Sequence, residues 1–419
     1  MTSTGLVLHP FRATRFTARE DVGLRLCPPY DVVSPAERAA LVERCDSNAA
    51  RLILPAEQEA ALADGDARAG ARRLLDMWVA EGVLAVDDEP ALYVYEMAAD
   101  GQVTRGLLGA VELRDPADGV ILPHENTMAG PVADRLALMS ATEADLEPIF
   151  LVYDGGGAAS DVVASPQGHA PIASAQTPDG TRHRLWAVTD SSTLAAVAQD
   201  LAERRALIAD GHHRYATYLQ RQAQHGGEPG PWDRGLTLLV DSTAYGPQVH
   251  PIHRVVALGF DQAVGKLAGQ ATVGEPLPVA DAELEVQRSA EFAVALAQGD
   301  RAVVVRALDA DTVASGLAAA HGSALGRLDV TLLHRVLVER IWGLSDDEQT
   351  VGYAHSVEEA LVAAGDDRTA VLLRATPVAD VAAVARAGER MPRKSTLFEP
   401  KPASGMVIRR LTDDAPVTR

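Results

Sequence analysis

The stretch Ile208-Ala209-Asp210-Gly211-His212-His213-Arg214-Tyr215 places an acid, a glycine, two histidines and an arginine in five consecutive positions, in a chain with only 12 histidines among 419 residues. An apolar run ends at Asp210 and a helical pattern begins after Gly211, so these polar residues fall at a strand-to-helix turn. The first N–H groups of a helix have no partner inside it and carry partial positive charge, which suits a phosphate. Gly211 permits the tight turn and close approach of backbone to a ligand. His212 and His213 can each donate a hydrogen bond. Arg214 can hold phosphate through two parallel bonds, and Asp210 could hold Mg²⁺ or orient a histidine. The plain alternative is a turn of solvated polar residues; four such side chains in five positions favour a site.

Other constellations could serve the same chemistry. Pro28-Pro29 fixes an extended approach and could aim Tyr30 or Asp31 into a cleft, or merely lead into the next helix. His124-Glu125 follows an apolar strand broken by Pro123, and such a pair could supply a general base, with Glu125 first and His124 second. His250, His253 and Arg254 lie in an extended-looking run, where His250 and Arg254 would share one face with His253 opposite. His253 and Arg254 are candidate substrate contacts, or buried and satisfied. Lys394, Ser395 and Thr396 could clamp a phosphate, with Lys394 as a point charge; the alternative is a basic helix end. No P-loop pattern is present. Lys401 is a further candidate of the same kind.

These residues need elements to position them. Ser34-Pro35-Ala36-Glu37 predicts a capped helix start. A helix is expected over roughly 57–81. Asp100-Gly101 predicts a hairpin between ALYVYEMA and TRGLLGAVEL. Strands are expected at PIFLVY, RALIAD, GLTLLVD and VHPIHRVVAL, and a helix at HRYATYLQRQA. Further on, LEVQRSAEFAVALAQ and LDVTLLHRVLVERIWGL read as helices, AVVVRAL and TAVLLRA as strands. The fold class is mixed α+β, with a change of domain expected near 250–270.

The bulk numbers narrow the function. Net charge is −20, from 58 acids against 38 bases, which opposes nucleic acid as a partner. No run of about 18 apolar residues predicts a membrane span, and no secretory signal is evident. Cys27 and Cys45, the only cysteines, support neither a disulfide framework nor a zinc cluster. A soluble, cytoplasmic chain is the expectation, with a homodimer as a candidate assembly.

CPPYDVVS (27–34), ILPHENT (121–127), ADGHHRYAT (209–217), HPIHRVV (250–256) and MPRKSTLFEPK (391–401) occur in this order in the DUF1015 family of bacterial proteins, which the chain resembles from about residue 8 to about 410. It departs from that pattern after HENT, where MAGPVADR replaces more basic residues, and at LFEPK, where relatives are more aromatic. The DGHHR turn also resembles the phosphate-binding turn of the ParB/sulfiredoxin-like superfamily, which includes free-serine kinases. That resemblance implies a ParB/sulfiredoxin-like nucleotide-binding core over 1–255 and an additional α/β domain over 256–419. It implies that Gly211, His212, His213 and Arg214 hold the phosphates of ATP, ADP or another nucleotide with Mg²⁺. Asp210 would lie beside the metal and Glu125 would act as base. The expected activity is a kinase acting on a small hydroxyl metabolite, free serine foremost. The alternatives are a nucleotidase or phosphoester hydrolase, and a nucleotide-binding regulator without turnover.

Overall fold

Asp100 and Gly101 both take left-handed backbone angles, φ 49° and 78°. That conformation matches the twist of two antiparallel strands, and it joins Leu92–Ala99 to Gln102–Glu112 as the sequence predicts. This hairpin is the centre of a nine-stranded mixed sheet. Its order runs Ile121–Leu122, Ala206–Asp210, Ile149–Tyr153, Arg234–Asp241, Gln102–Glu112, Leu92–Ala99, Arg182–Val188 and Ala173–Gln176, with Leu8–His9 paired beside Gln102–Glu112. The computed structural model describes residues 4–18, 21–165, 170–320, 322–347 and 349–414. Among them are fifteen α-helices and five sheets, so the class is mixed α+β. No helix among the described residues is long and apolar enough to cross a membrane.

The chain divides into two units. The first comprises Met1–Pro123, Thr127–Pro247 and Pro400–Arg419; the second comprises His124–Asn126 and Gln248–Glu399. In the first, Leu92, Leu107, Ile149, Leu151, Ile208, Tyr215 and Tyr218 belong to one buried cluster, which seats the helix His212–Gln224 against the sheet. The segment after Pro400 returns to this unit through the bridge between Cys27 and Ser404 and the pairing of Arg409–Arg410 with Ala144–Asp145. There Asp145 is fully buried between two guanidiniums, 2.8 Å from Arg221 and 2.6 Å from Arg409. The second unit is built on a seven-stranded sheet whose path runs Thr272–Val273, Arg301–Arg306, Ala293–Gln298, Thr369–Leu372, His253–Val256 and Val351–Ala354. Val255, Ala295, Val304, Ala370 and Leu372 form its core with the helices Val279–Arg288 and Val357–Ala364.

The capped helix start at Ser34 is present with both reciprocal bonds, Ser34 N–H to Glu37 at 2.7 Å and Glu37 N–H to Ser34 Oγ at 3.3 Å. Other expectations are corrected. The helix expected over 57–81 is two, Glu57–Ala60 and Ala67–Ala80, because Asp64-Gly65 turns left-handed and Asp66 caps a new start. LEVQRSAEFAVALAQ is helical only to Arg288; Ala293–Gln298 is a strand, since sheet pairing on both sides overrides the local pattern. VHPIHRVVAL is two strands, Gln248–His250 and His253–Val256, in different sheets. Pro251 lacks the N–H a continuous ladder needs, so the shared face expected of His250 and Arg254 does not carry across. The long helix after Leu328 is α-helical over Asp329–Leu332 and then a π-helix over Leu333–Trp342.

Asp145→Asn should leave two buried cations short of their counter-charge and destabilise the first unit by about 3–5 kcal/mol, read from urea unfolding at pH 7. A pH effect follows from His183, buried on the strand Arg182–Val188 with Nδ1 2.8 Å from the Tyr95 hydroxyl. Burial pushes its pKa down to about 4, against the opposing pull of Asp179. The unfolded chain then protonates first, near pH 6.5, so this contribution is complete above that pH and is lost as pH falls toward 4. The stability advantage of the wild type over His183→Gln should therefore shrink between pH 7.5 and 5.

Candidate functional site

The strand Ala206–Asp210 ends at an irregularity in its pairing with Ile149–Tyr153, between Ile208 and Asp210. Gly211 follows with φ 91°, a conformation that favours glycine. A Cβ there would also lie 3.1 Å from the Ile149 side chain and 3.3 Å from the Arg214 guanidinium carbon. The helix His212–Gln224 starts at once, with Tyr215 N–H bonded to the Gly211 carbonyl at 2.8 Å. The strand-to-helix turn expected from the sequence is present, and the helix N-terminus opens directly after the glycine.

The side chains around the turn are arranged differently from expectation. Arg214 is buried, 1% exposed, and its two terminal nitrogens donate to the Pro148 carbonyl and to Asp210 Oδ2. Burial opposes its charge, but the carboxylates of Glu147, Asp210 and Asp31 together hold its pKa above the ordinary arginine value. With a bond from each terminal nitrogen inside the protein, Arg214 buttresses the turn in this arrangement. The N–H of Met128 donates to His213 Nε2 at 3.1 Å. With Nε2 accepting in this bond, Nδ1 is the ring nitrogen placed to donate. His212 is mostly buried.

Lys401 is the cation that reaches the turn from the returning segment. Its Nζ lies 2.8 Å from Asp210 Oδ1 and 3.1 Å from Asp31 Oδ2, and its side chain is 14% exposed. Burial works against the ammonium, yet Asp210 and Asp31 outweigh it and raise the pKa. Asp31 is held in the short helix Tyr30–Val32, and Tyr30 N–H donates to Glu147 Oε1 at 3.0 Å. The Arg135 guanidinium covers the Tyr30 ring at 4.3 Å. The Tyr30 hydroxyl is pushed up to about 12, by burial first, with Arg214 opposing. Asp210 thus has one oxygen on Arg214 and the other on Lys401. This does not fit the Mg²⁺ ligand expected there, because both oxygens already face cations, and no group of three His, Cys, Asp or Glu among the described residues could hold a metal. Glu147, buried beside the turn, carried no recognisable spacing signal in Asp145-Leu146-Glu147-Pro148.

The second unit gathers the other expected residues. His124, 1% exposed, has Nε2 3.0 Å from the Thr396 hydroxyl, and Glu125 Oε1 accepts from Ser395 N–H at 3.3 Å. The Ser395 hydroxyl bonds back to the Pro392 carbonyl at 2.6 Å. The two hydroxyls expected to cradle phosphate are therefore engaged in shaping this turn, as short hydroxyl side chains commonly are. Lys394 sits at its tip, exposed, with φ 53°. Arg254, fully buried, donates to the carbonyls of Lys394 at 2.9 Å and Ile252 at 2.7 Å, and to His334 Nε2 at 2.9 Å; His334 Nδ1 is 3.0 Å from Asp346 Oδ1. Burial pushes Arg254 down to about 10. His253 is buried as well and accepts from Leu373 N–H at 3.2 Å; burial and then Arg254 push it down to about 4. Both are buried and hydrogen-bonded within the second unit. No sequence signal marks His334 and Asp346: His334 interrupts an apolar helical pattern without any metal or triad spacing.

No curated protein matches the chain. Among solved structures, a free serine kinase in complex with AMP is similar at 14% identity and TM-score 0.35, covering 70% of this chain and 90% of that one. SbnI with C-terminal truncation from Staphylococcus aureus is similar at 12% identity and TM-score 0.37, covering 74% and 91%. A conserved hypothetical protein from Pyrococcus furiosus is similar at 14% identity and TM-score 0.35, covering 70% and 93%. The family model described as a protein of unknown function, DUF1015, matches residues 8–331. The chain belongs to the DUF1015 family.

Proposed function

We propose that the first unit binds a nucleotide by its phosphates at the turn Gly211-His212-His213, and that the protein transfers a phosphoryl group to a small hydroxyl metabolite, with free serine the leading candidate. The ParB/sulfiredoxin-like core, the choice of ATP or ADP as donor, and Mg²⁺ brought in by the nucleotide all belong to this proposal. The observation that carries it is the turn: a strand end, a glycine at φ 91° and a 13-residue helix starting immediately after it. Successive N–H groups and the helix dipole there form an anion site that works in a chain of net charge −20. Arg214 supports the geometry from behind. In transfer, the bond from the terminal phosphorus to its bridging oxygen breaks, a bond to the acceptor oxygen forms, and the acceptor's proton goes to a carboxylate. Glu125 is assigned that role on the residue type and motif.

One observation favours a second reading, a nucleotide-binding regulator without turnover. Arg214 and Lys401 are both paired with carboxylates, which leaves less positive charge for a transferring phosphoryl group. Incubation with ATP or ADP and serine, followed by ³¹P NMR, separates the two: new phosphoester supports the kinase, and binding with no product supports the regulator.

Two variants test the assignment by parts. Gly211→Ala forces a side chain into a left-handed angle, at a cost of about 1–2 kcal/mol, and should weaken ADP binding about tenfold or more in calorimetry. Unchanged affinity would remove the turn from the site. Glu125→Gln should keep ADP affinity within about twofold and lower turnover by about 10²–10⁴; full turnover in this variant would exclude Glu125 as base.

A further inference from the structure

Asp31 and Asp210 direct one oxygen each at a single point, and Lys401 Nζ occupies it, 3.1 and 2.8 Å away. Converging carboxylate oxygens are what a hard divalent cation takes as ligands. Lys401 reaches this point by a route the backbone enforces. Cys27 and Ser404 exchange hydrogen bonds at 3.2 and 2.8 Å, so Asp31 lies four residues after one end of the bridge and Lys401 three before the other. The chain has three lysines, at 266, 394 and 401, among 38 basic residues, and an ammonium is a compact point charge where a guanidinium is a broad fork. We propose that Lys401 is a positioning residue standing where a divalent cation would otherwise bind, so that the protein carries its own cation between Asp31 and Asp210. Asp210 is then not a metal ligand, and a metal accompanying a nucleotide is held by phosphate oxygens.

The test is Mn²⁺ titration of the full chain, without nucleotide, followed by electron paramagnetic resonance. Wild type should bind no Mn²⁺ at this pair, whereas Lys401→Met should gain one site at least tenfold tighter than any in the wild type. Adding Asp31→Asn to that variant should remove the gain. Equal Mn²⁺ binding by wild type and Lys401→Met, or a gain that survives Asp31→Asn, overturns the proposal. A second measurement needs no variant: trace acetylation with acetic anhydride, read by mass spectrometry. Lys401 should react at least tenfold more slowly than the exposed Lys394; equal rates would show that its ammonium is not held between the carboxylates.

Discussion

The carboxylate of Asp210 is held from two directions, by Arg214 from the first turn of the helix that follows it and by Lys401 from the segment after Pro400. This interaction ties together a strand end, a helix start and a stretch of chain far along the sequence. A buried ion pair contributes little net stability, since desolvation offsets most of the attraction. What it does contribute is position. Arg214, bonded to Pro148 and Asp210, ties the helix N-terminus to the strand end beside the left-handed Gly211 turn. The helix start is then presented in a fixed direction while its nearest cations face inward.

The same logic appears in the second unit with different residues. Among the described residues Arg254 has no carboxylate as a direct hydrogen-bond partner; it bonds to carbonyls and to His334, whose other nitrogen faces Asp346. Its positive charge is stabilised through this relay and by the Tyr353 ring, 4.7 Å from the guanidinium carbon. The result is a turn at 392–396 whose shape is dictated from inside, with Lys394 outermost and Glu125 bonded to its backbone. His334 lies at the start of a π-helical stretch, a geometry that often marks a specialised site.

Much of this was legible in the sequence because it depends on local chemistry. The hairpin at Asp100-Gly101, the capping box at Ser34 and the turn at Asp210-Gly211 each follow from what those residue types do to backbone angles and orphan N–H groups. Elements decided by tertiary pairing were not legible. Ala293–Gln298 is a strand because neighbours on both sides bond to it, and its alanines, Val294 and Leu296 carry no helix-breaking signal. Side-chain partners were harder still. Arg214 was expected to face a ligand because arginine suits phosphate, yet nothing in the motif reveals that the Pro148 carbonyl lies within reach. Lys401 is one of only three lysines in the chain, which singled it out in the sequence without showing what it would face.

The proposed function requires the turn at Gly211 to be an anion site. A crystal structure of the protein with ADP tests that most directly. Phosphate oxygens within about 3 Å of the backbone N–H groups that follow Gly211, with Asp210 still between Arg214 and Lys401, is the predicted result. Density for the nucleotide elsewhere, with this turn bare, would contradict it.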